Sequence, residues 1–232
     1  METRLTEVAD GVHQLTTHIS EMDFSFNQYF VNGEEPLLFH TGGRGLFPLV
    51  SEAVGRVTPI DSLRWITFGH VEADECGSMN DWLGVAPQAT VAQGVIGCMV
   101  SLNDLADRPP RPLADGEVLD IGGHRIRWID MPHVPHAWEN GIVYDETTRT
   151  LFCGDLFTQG GSDLPPITAS DILESSEAFR HGMDYFSHTK NAHVMLERLA
   201  ATAPTTLACM HGSAWRGDGA KLLRALADAL SA

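Results

Sequence analysis

The sequence is short of positive charge: Lys and Arg number 15 against 31 Asp and Glu, a formal net charge of -16. So acidic a surface is poorly suited to neutralising phosphates over an extended face, which argues against a nucleic-acid partner. Long apolar runs are missing as well. No stretch approaches the roughly 18 apolar residues of a membrane span, and the opening METRLTEVADGVHQL has no basic segment leading into an apolar one. A cytoplasmic protein with no membrane partner is therefore expected. The four cysteines, Cys76, Cys98, Cys153 and Cys209, stand apart without C-x-x-C spacing. That removes zinc ribbons and small disulfide frameworks and leaves buried free thiols. Fixed-period repeats, low-complexity tracts and a Gly-rich loop opening a nucleotide fold are all lacking. What is present, 232 residues with 43% apolar and 20% charged side chains, reads as a single domain over 1–232 able to bury a sizeable core.

Alternating patterns predict strands over Val12–Ile19, Phe26–Val31 and Pro36–Phe39, an antiparallel meander. A short helix is expected over 45–57 and a buried strand over 63–68, with strand or short-helix pieces at 88–91 and 99–102. The stretch 107–114, containing DRPPRP, reads as an exposed connection. Strands at 117–121, 124–129 and 141–144 follow, then a turn at DETTRT into 150–153. Helical spacing runs over 168–202 with Ser170 or Asp171 as N-cap, a last strand covers 206–210, and a helix closes the chain over 219–230. Strands and helices mixed through both halves predict an α+β or α/β fold, two mixed sheets packed together with helices outside.

Polar clusters follow directly on the ends of apolar strands, where side chains can converge on one edge. The first is His70-Val71-Glu72-Ala73-Asp74-Glu75, in which His70, Glu72 and Asp74 alternate. Extended or tightly turned, it projects three ligand-type groups to one side, with Glu75 directed elsewhere or to a second ion. An acidic solvated loop is the plain alternative. Three more clusters contain His133 and His136, Asp155, and His211. The other histidines, His13, His18, His124, His181, His188 and His193, read as surface or structural residues.

With H-x-E-x-D at 70–74, Phe26-Asn27-Gln28-Tyr29 near the start, Glu75-Cys76-Gly77-Ser78, and His211-Gly212 followed by Trp215-Arg216, nearly the whole chain resembles the metallo-beta-lactamase fold superfamily. It is most similar to the diiron branch, namely the diiron domain of flavodiiron proteins and stand-alone oxygen-binding diiron proteins. The resemblance implies a four-layer αββα sandwich. It also implies His70, Glu72 and His136 around one ion, Asp74 and His211 around a second, and Asp155 bridging them. The expected cofactor is a pair of iron ions with a bridging oxo or hydroxo group, zinc or manganese being the alternatives; imidazole and carboxylate together suit iron and manganese. Three carboxylates and one hydroxide balance the charge of two divalent ions.

Glu75 stands where the family commonly has His. It is open to three roles: a ligand to the second ion, a hydrogen-bond acceptor behind a ligand, or a proton relay. His133 competes with His136, which is reached by counting back from Asp155 without a gap. His40 stands where the wider fold usually carries Asp and is expected beneath the metal loops. Trp138 and Phe157 are expected to wall the open metal positions, and Tyr185 with His181, four residues apart on a helix, to face the pocket.

The function so implied is binding or reduction of dioxygen or nitric oxide. No fused flavodoxin domain is expected in these residues, so turnover calls for an external redox partner; a homodimer is an allowed assembly. Two other readings are carried: a hydrolase of esters, thioesters or phosphodiesters, and a binding module with structural metals.

Overall fold

The computed structural model describes residues 1–231. Within them, two seven-stranded sheets pack face to face. The first runs in chain order: β1 (Thr3–Ala9), β2 (Val12–Ile19), β3 (Phe24–Val31), β4 (Leu37–Phe39), β5 (Trp65–Thr67), β6 (Thr90–Gly94) and β7 (Arg111–Leu113). β1 to β4 form the expected antiparallel meander, and β4 to β7 are parallel. The second contains β8 (Val118–Asp120), β9 (Arg125–Asp130), β10 (Gly141–Asp145), β11 (Thr150–Gly154), β12 (Ile167–Thr168), β13 (Thr206–Cys209) and β14 (Ala214–Arg216), ordered β12-β14-β13-β11-β10-β9-β8.

Three apolar layers hold these elements. Between the sheets, Tyr29, Phe39 and Trp65 of one meet Trp128, Val143 and Phe152 of the other. The helices Phe47–Gly55 and Met79–Val85 cover the outer face of the first sheet through Val50, Val54, Trp82 and Leu83. Helices Leu173–Met183, Ala192–Ala200 and Gly219–Ala229 cover the second through residues such as Leu196, Leu199, Leu223 and Leu226. Burial on both faces explains why β10 and β11 read as unbroken apolar runs. No helix among the described residues is long and apolar enough to cross a membrane.

Several local expectations are corrected. The connection over 107–114 contains β7, whose Pro112 is tolerated because β7 is an edge strand. Of the two forms expected for residues 99–102, the helical one is found, within a run from Val95 to Leu105. The helical pattern over 168–202 is two helices, the first ended by Asp184 in the left-handed region (φ 50°). The N-cap of the first is Ile172 and not the expected Ser170 or Asp171, although Asp171 Oδ1 accepts the Leu173 N–H at 2.8 Å from one position earlier. β1, β12 and β14 lie outside the predicted strands; β12 has two residues, and β1 is an edge strand with only two buried positions.

The Phe26–Tyr29 motif fastens the sheets together where the site forms. Asn27 Nδ2 donates to Cys209 O at 2.9 Å and Gly212 O at 2.8 Å, Tyr29 Oη donates to Cys209 O at 2.7 Å, and Asn27 N–H donates to Met210 O at 2.8 Å. All these groups are buried. Gly212 itself has φ +92°, a conformation that side-chain-bearing residues rarely adopt.

Candidate metal centre

His40, His70, His136, Asp155 and His211 each lie on the loop leaving the C-terminal end of a strand, respectively β4, β5, β9, β11 and β13. Those loops gather at one edge of the sandwich. Gly69 permits the close approach before His70: a β-carbon there would stand 2.9 Å from Asn140 Oδ1 and 3.0 Å from Gly141 O. The H-x-E-x-D segment is not extended throughout. Glu72 is extended (φ -136°, ψ 157°), but Ala73–Cys76 makes one helical turn closed by Cys76 N–H donating to Glu72 O at 2.9 Å. The turn swings Asp74 towards His211 and carries Glu75 beneath His70.

The ligand atoms of His70, Glu72, His136 and Asp155 all lie within 4.8 Å of one another. His70 Nε2 is 2.7 Å from Glu72 Oε2 and 2.9 Å from His136 Nε2. Asp155 spans two groups. Its Oδ2 is 3.4 Å from His136 Nε2 and 3.8 Å from His70 Nε2, while its Oδ1 is 3.3 Å from His211 Nε2. His211 Nε2 also lies 3.5 Å from Asp74 Oδ2. Ligand atoms around one ion at about 2.0–2.2 Å stand roughly 3.0–3.6 Å apart, so most of these separations fit a metal with little movement. The first four residues form the tighter group and Asp74 with His211 the looser one.

The charges suit a cation. Burial disfavours protonated His70, yet the carboxylates of Glu75, Glu72 and Asp155 outweigh it and push its pKa up to about 12. Burial likewise opposes the rise at His211, which Asp155 and Asp74 produce. Hydrogen bonds from His136 and His70 hold Glu72 far below the usual carboxylate range, whereas burial raises Asp74. Acids and imidazoles packed this closely keep protons where a metal ion would otherwise supply the positive charge.

Bracing residues fix the rings. His211 Nδ1 lies 2.9 Å from Ser25 O, which leaves Nε2 free. Glu75 is wholly buried. It accepts the His70 backbone N–H through Oε2 at 2.8 Å, with Oε1 3.2 Å from His70 Nδ1 and 3.4 Å from His40 Nε2. His40 thus lies beneath the metal loops. His133 is exposed, so it lies outside the group that His136 joins. Of the remaining histidines, His181, His188 and His193 are exposed and His124 is buried against Asp145.

A cavity of about 330 Å³ opens over the centre, walled by Phe24, Phe26, Phe179, Tyr185 and the exposed Met22 and Met183. Phe24 lies against His211 with centroids 4.4 Å apart. Tyr185 Oη donates to Asp155 O at 2.9 Å. Trp138, expected in this wall, is 57% exposed and lines a separate cleft, and Phe157 belongs to the core. His181, expected beside Tyr185, faces solvent. Sequence reading missed Phe24 and Phe179, which are 5.3 Å apart and stacked; their only signal is aromatic character, shared with any core residue. All four cysteines are free thiols; Cys98, Cys153 and Cys209 are buried as expected, whereas Cys76 is only partly so, and burial pushes Cys76 up to about 12 and Cys98 up to about 11.

The family model described as "ODP family beta lactamase" matches residues 24–212. Among curated proteins, the chain is 26% identical over 200 residues to a protein named diflavin flavoprotein A 2 of Synechocystis sp., covering 81% of this chain and 33% of the relative. It is 29% identical over 158 residues to the protein of the same name in Nostoc sp., covering 66% and 26%. The chain thus spans about a third of the length of the curated relatives it matches. Among solved structures, it is similar to a metal-soaked Flv1 flavodiiron core from Synechocystis sp. PCC6803, with TM-score 0.83 and 19% identity over 99% of this chain and 60% of that one. Rubredoxin oxygen:oxidoreductase of Desulfovibrio gigas matches with TM-score 0.80 and 17% identity, over 97% and 62%. At such identities the likeness speaks for the fold, the metallo-beta-lactamase-like αββα sandwich of flavodiiron cores.

Proposed function

Because the chain belongs to the ODP family of beta-lactamase-fold domains, in the diiron branch of the metallo-beta-lactamase fold, we propose that it is a non-haem diiron protein that binds or reduces dioxygen or nitric oxide. His70, Glu72 and His136 would hold the first ion and Asp74 and His211 the second, with Asp155 shared between the two groups. Two iron ions bound there would supply one-electron redox chemistry towards a diatomic ligand.

The residues around them do the rest. Ser25 O and Glu75 orient His211 and His70. Tyr185 ties the Asp155 backbone to the helical side of the cavity, and Phe24, Phe26 and Phe179 keep that side apolar, which suits an uncharged diatomic molecule. Residues 1–232 act in this reading as one metal-binding unit that receives electrons from outside itself.

The observation that carries the reading is the placement of Asp155, one oxygen towards His136 and His70 and the other towards His211. A single carboxylate aimed both ways serves two ions better than one. The test is anaerobic purification, then metal analysis and optical spectra before and after admission of air. Close to two irons per chain and a spectral change with oxygen are expected. Stoichiometric zinc that iron fails to displace under anaerobic reconstitution would overturn the proposal in favour of a hydrolase.

A further inference from the structure

On the Nδ1 side of His70, two wholly buried side chains, Glu75 and His40, face each other. Glu75 Oε1 stands between two imidazoles, 3.2 Å from His70 Nδ1 and 3.4 Å from His40 Nε2. Neither ring nitrogen of His40 makes a hydrogen bond of full geometry with the described residues, so this imidazole has left water without gaining a firm partner. Its backbone is unusual too. His40 has φ 63°, in the left-handed region that disfavours a residue with a β-carbon. Two bonds hold it there: His40 N–H donates to Thr67 O at 2.9 Å, and Thr41 N–H donates to Glu75 O at 2.7 Å. A strained, unpartnered side chain fixed against the loop of a metal-ligand candidate points to a use for that arrangement.

We propose that His40 is a positioning residue for the first metal site, acting through Glu75 on His70. The proposal rests on the two-metal reading above. With Nε2 of His70 turned to a metal, its Nδ1 carries the ring hydrogen and Glu75 Oε1 is placed to accept it, so the ring orientation follows the position of Oε1. His40 Nε2 faces that oxygen from the opposite side at 3.4 Å, close enough to bear on its position, and a carboxylate oxygen has lone pairs for both donors. Thr41 and the Glu75 turn lock the two loops together, so His40 stays aligned.

Cobalt(II) titration of the metal-stripped full chain tests this without oxygen chemistry, because the visible bands of the ion report ligand geometry. Glu75→Gln is expected to weaken first-site binding about 100-fold and His40→Leu about tenfold, within the range found for groups that orient metal ligands. The double variant should bind no more weakly than Glu75→Gln alone. His40→Gln, which keeps a donor of similar reach, should restore the affinity and band intensities of the parent. If His40→Leu does not fold, His40→Asn, whose amide is too short to reach Oε1, carries the same expectation. Parent-like affinity in the loss variant, or an equal loss with and without Glu75, would overturn the proposal. A parent that takes up two cobalt ions but never iron would defeat the diiron reading and leave this test in force.

Discussion

Around the first ion position the ligand atoms of four residues fall within 4.8 Å of one another, and His70 is almost wholly buried with Glu75 behind it. Around the second, Asp74 rides on a single helical turn with 28% of its side chain exposed, and only His211 is firmly seated, against Ser25, Phe24 and Phe26. The first position is thus fixed by loops of the central part of the chain. The second joins Asp74 of a central loop to His211 of a C-terminal loop, and His211 is seated by the N-terminal meander. The two should differ in how they fail.

Removing the residue they share should erase the difference. Asp155→Ala is expected to lower bound iron from about two ions per chain to near none, since the remaining carboxylates no longer screen two like charges held close together. Metal analysis after gel filtration checks it, and loss of a single ion would contradict the bridging role.

Removing His70 or His211 should expose the difference. His70→Ala is expected to empty the first position and leave about one ion per chain, with His211→Ala the converse, because each histidine contacts only its own group of ligands. Mössbauer spectra of iron-reconstituted protein distinguish one population from two, and identical spectra from the two variants would show that the positions are not separate.

A milder and more selective break lies at Asn27. Asn27→Ala leaves the Cys209 and Gly212 carbonyls buried without that donor, a loss of about 3 kcal/mol in unfolding free energy from denaturant titration. Metal should be lost from the second position before the first. Equal weakening of both would mean that the strand supports the whole centre rather than the His211 loop.

The smallest effect is expected away from the metals, at the buried Asp145, whose Oδ2 is 2.8 Å from His124 Nδ1. Burial alone would raise the pKa of Asp145, but hydrogen bonds from His124 and Thr148 outweigh it and hold it below the ordinary value. A carboxylate depressed on folding contributes stability above its unfolded pKa of about 3.9 and loses it as pH falls through the folded value. Asp145→Asn should therefore cost about 2 kcal/mol near neutrality, with the deficit shrinking below about pH 4. Thermal unfolding at several pH values measures it, and metal content should not change. A deficit that persists unchanged in acid would remove the carboxylate from the explanation.

The family resemblance carried by four separated clusters in order made the architecture and the six converging residues legible, and strand-end loops bring those distant polar groups to one edge whatever the details between them. The bend that follows Glu72 was not legible: alternation in H-x-E-x-D suits an extended segment, and only the backbone bonds to Glu72 O show where it turns. His133 and His136 have the same chemistry three residues apart, so the loop's path, which leaves the first exposed, had to separate them. Phe24 and Phe179 lie far apart in sequence and become a wall only when the meander and the helix Leu173–Met183 meet. β7 was hidden by its proline and β12 by its two-residue length.

The Asn27 to Cys209 bond joins residues 182 positions apart, and that separation sets an order of events as the chain folds. Closing so large a loop is entropically unfavourable until intervening structure has shortened the path. His70, Glu72, His136 and Asp155 all lie inside the loop and can gather before it closes, whereas His211 lies beyond its closing residue and is seated only once the loop has shut. An ion in the second position is therefore a mark of a closed loop, and a partly folded molecule carrying a single metal is the species in which the two sheets have yet to be fastened at this edge.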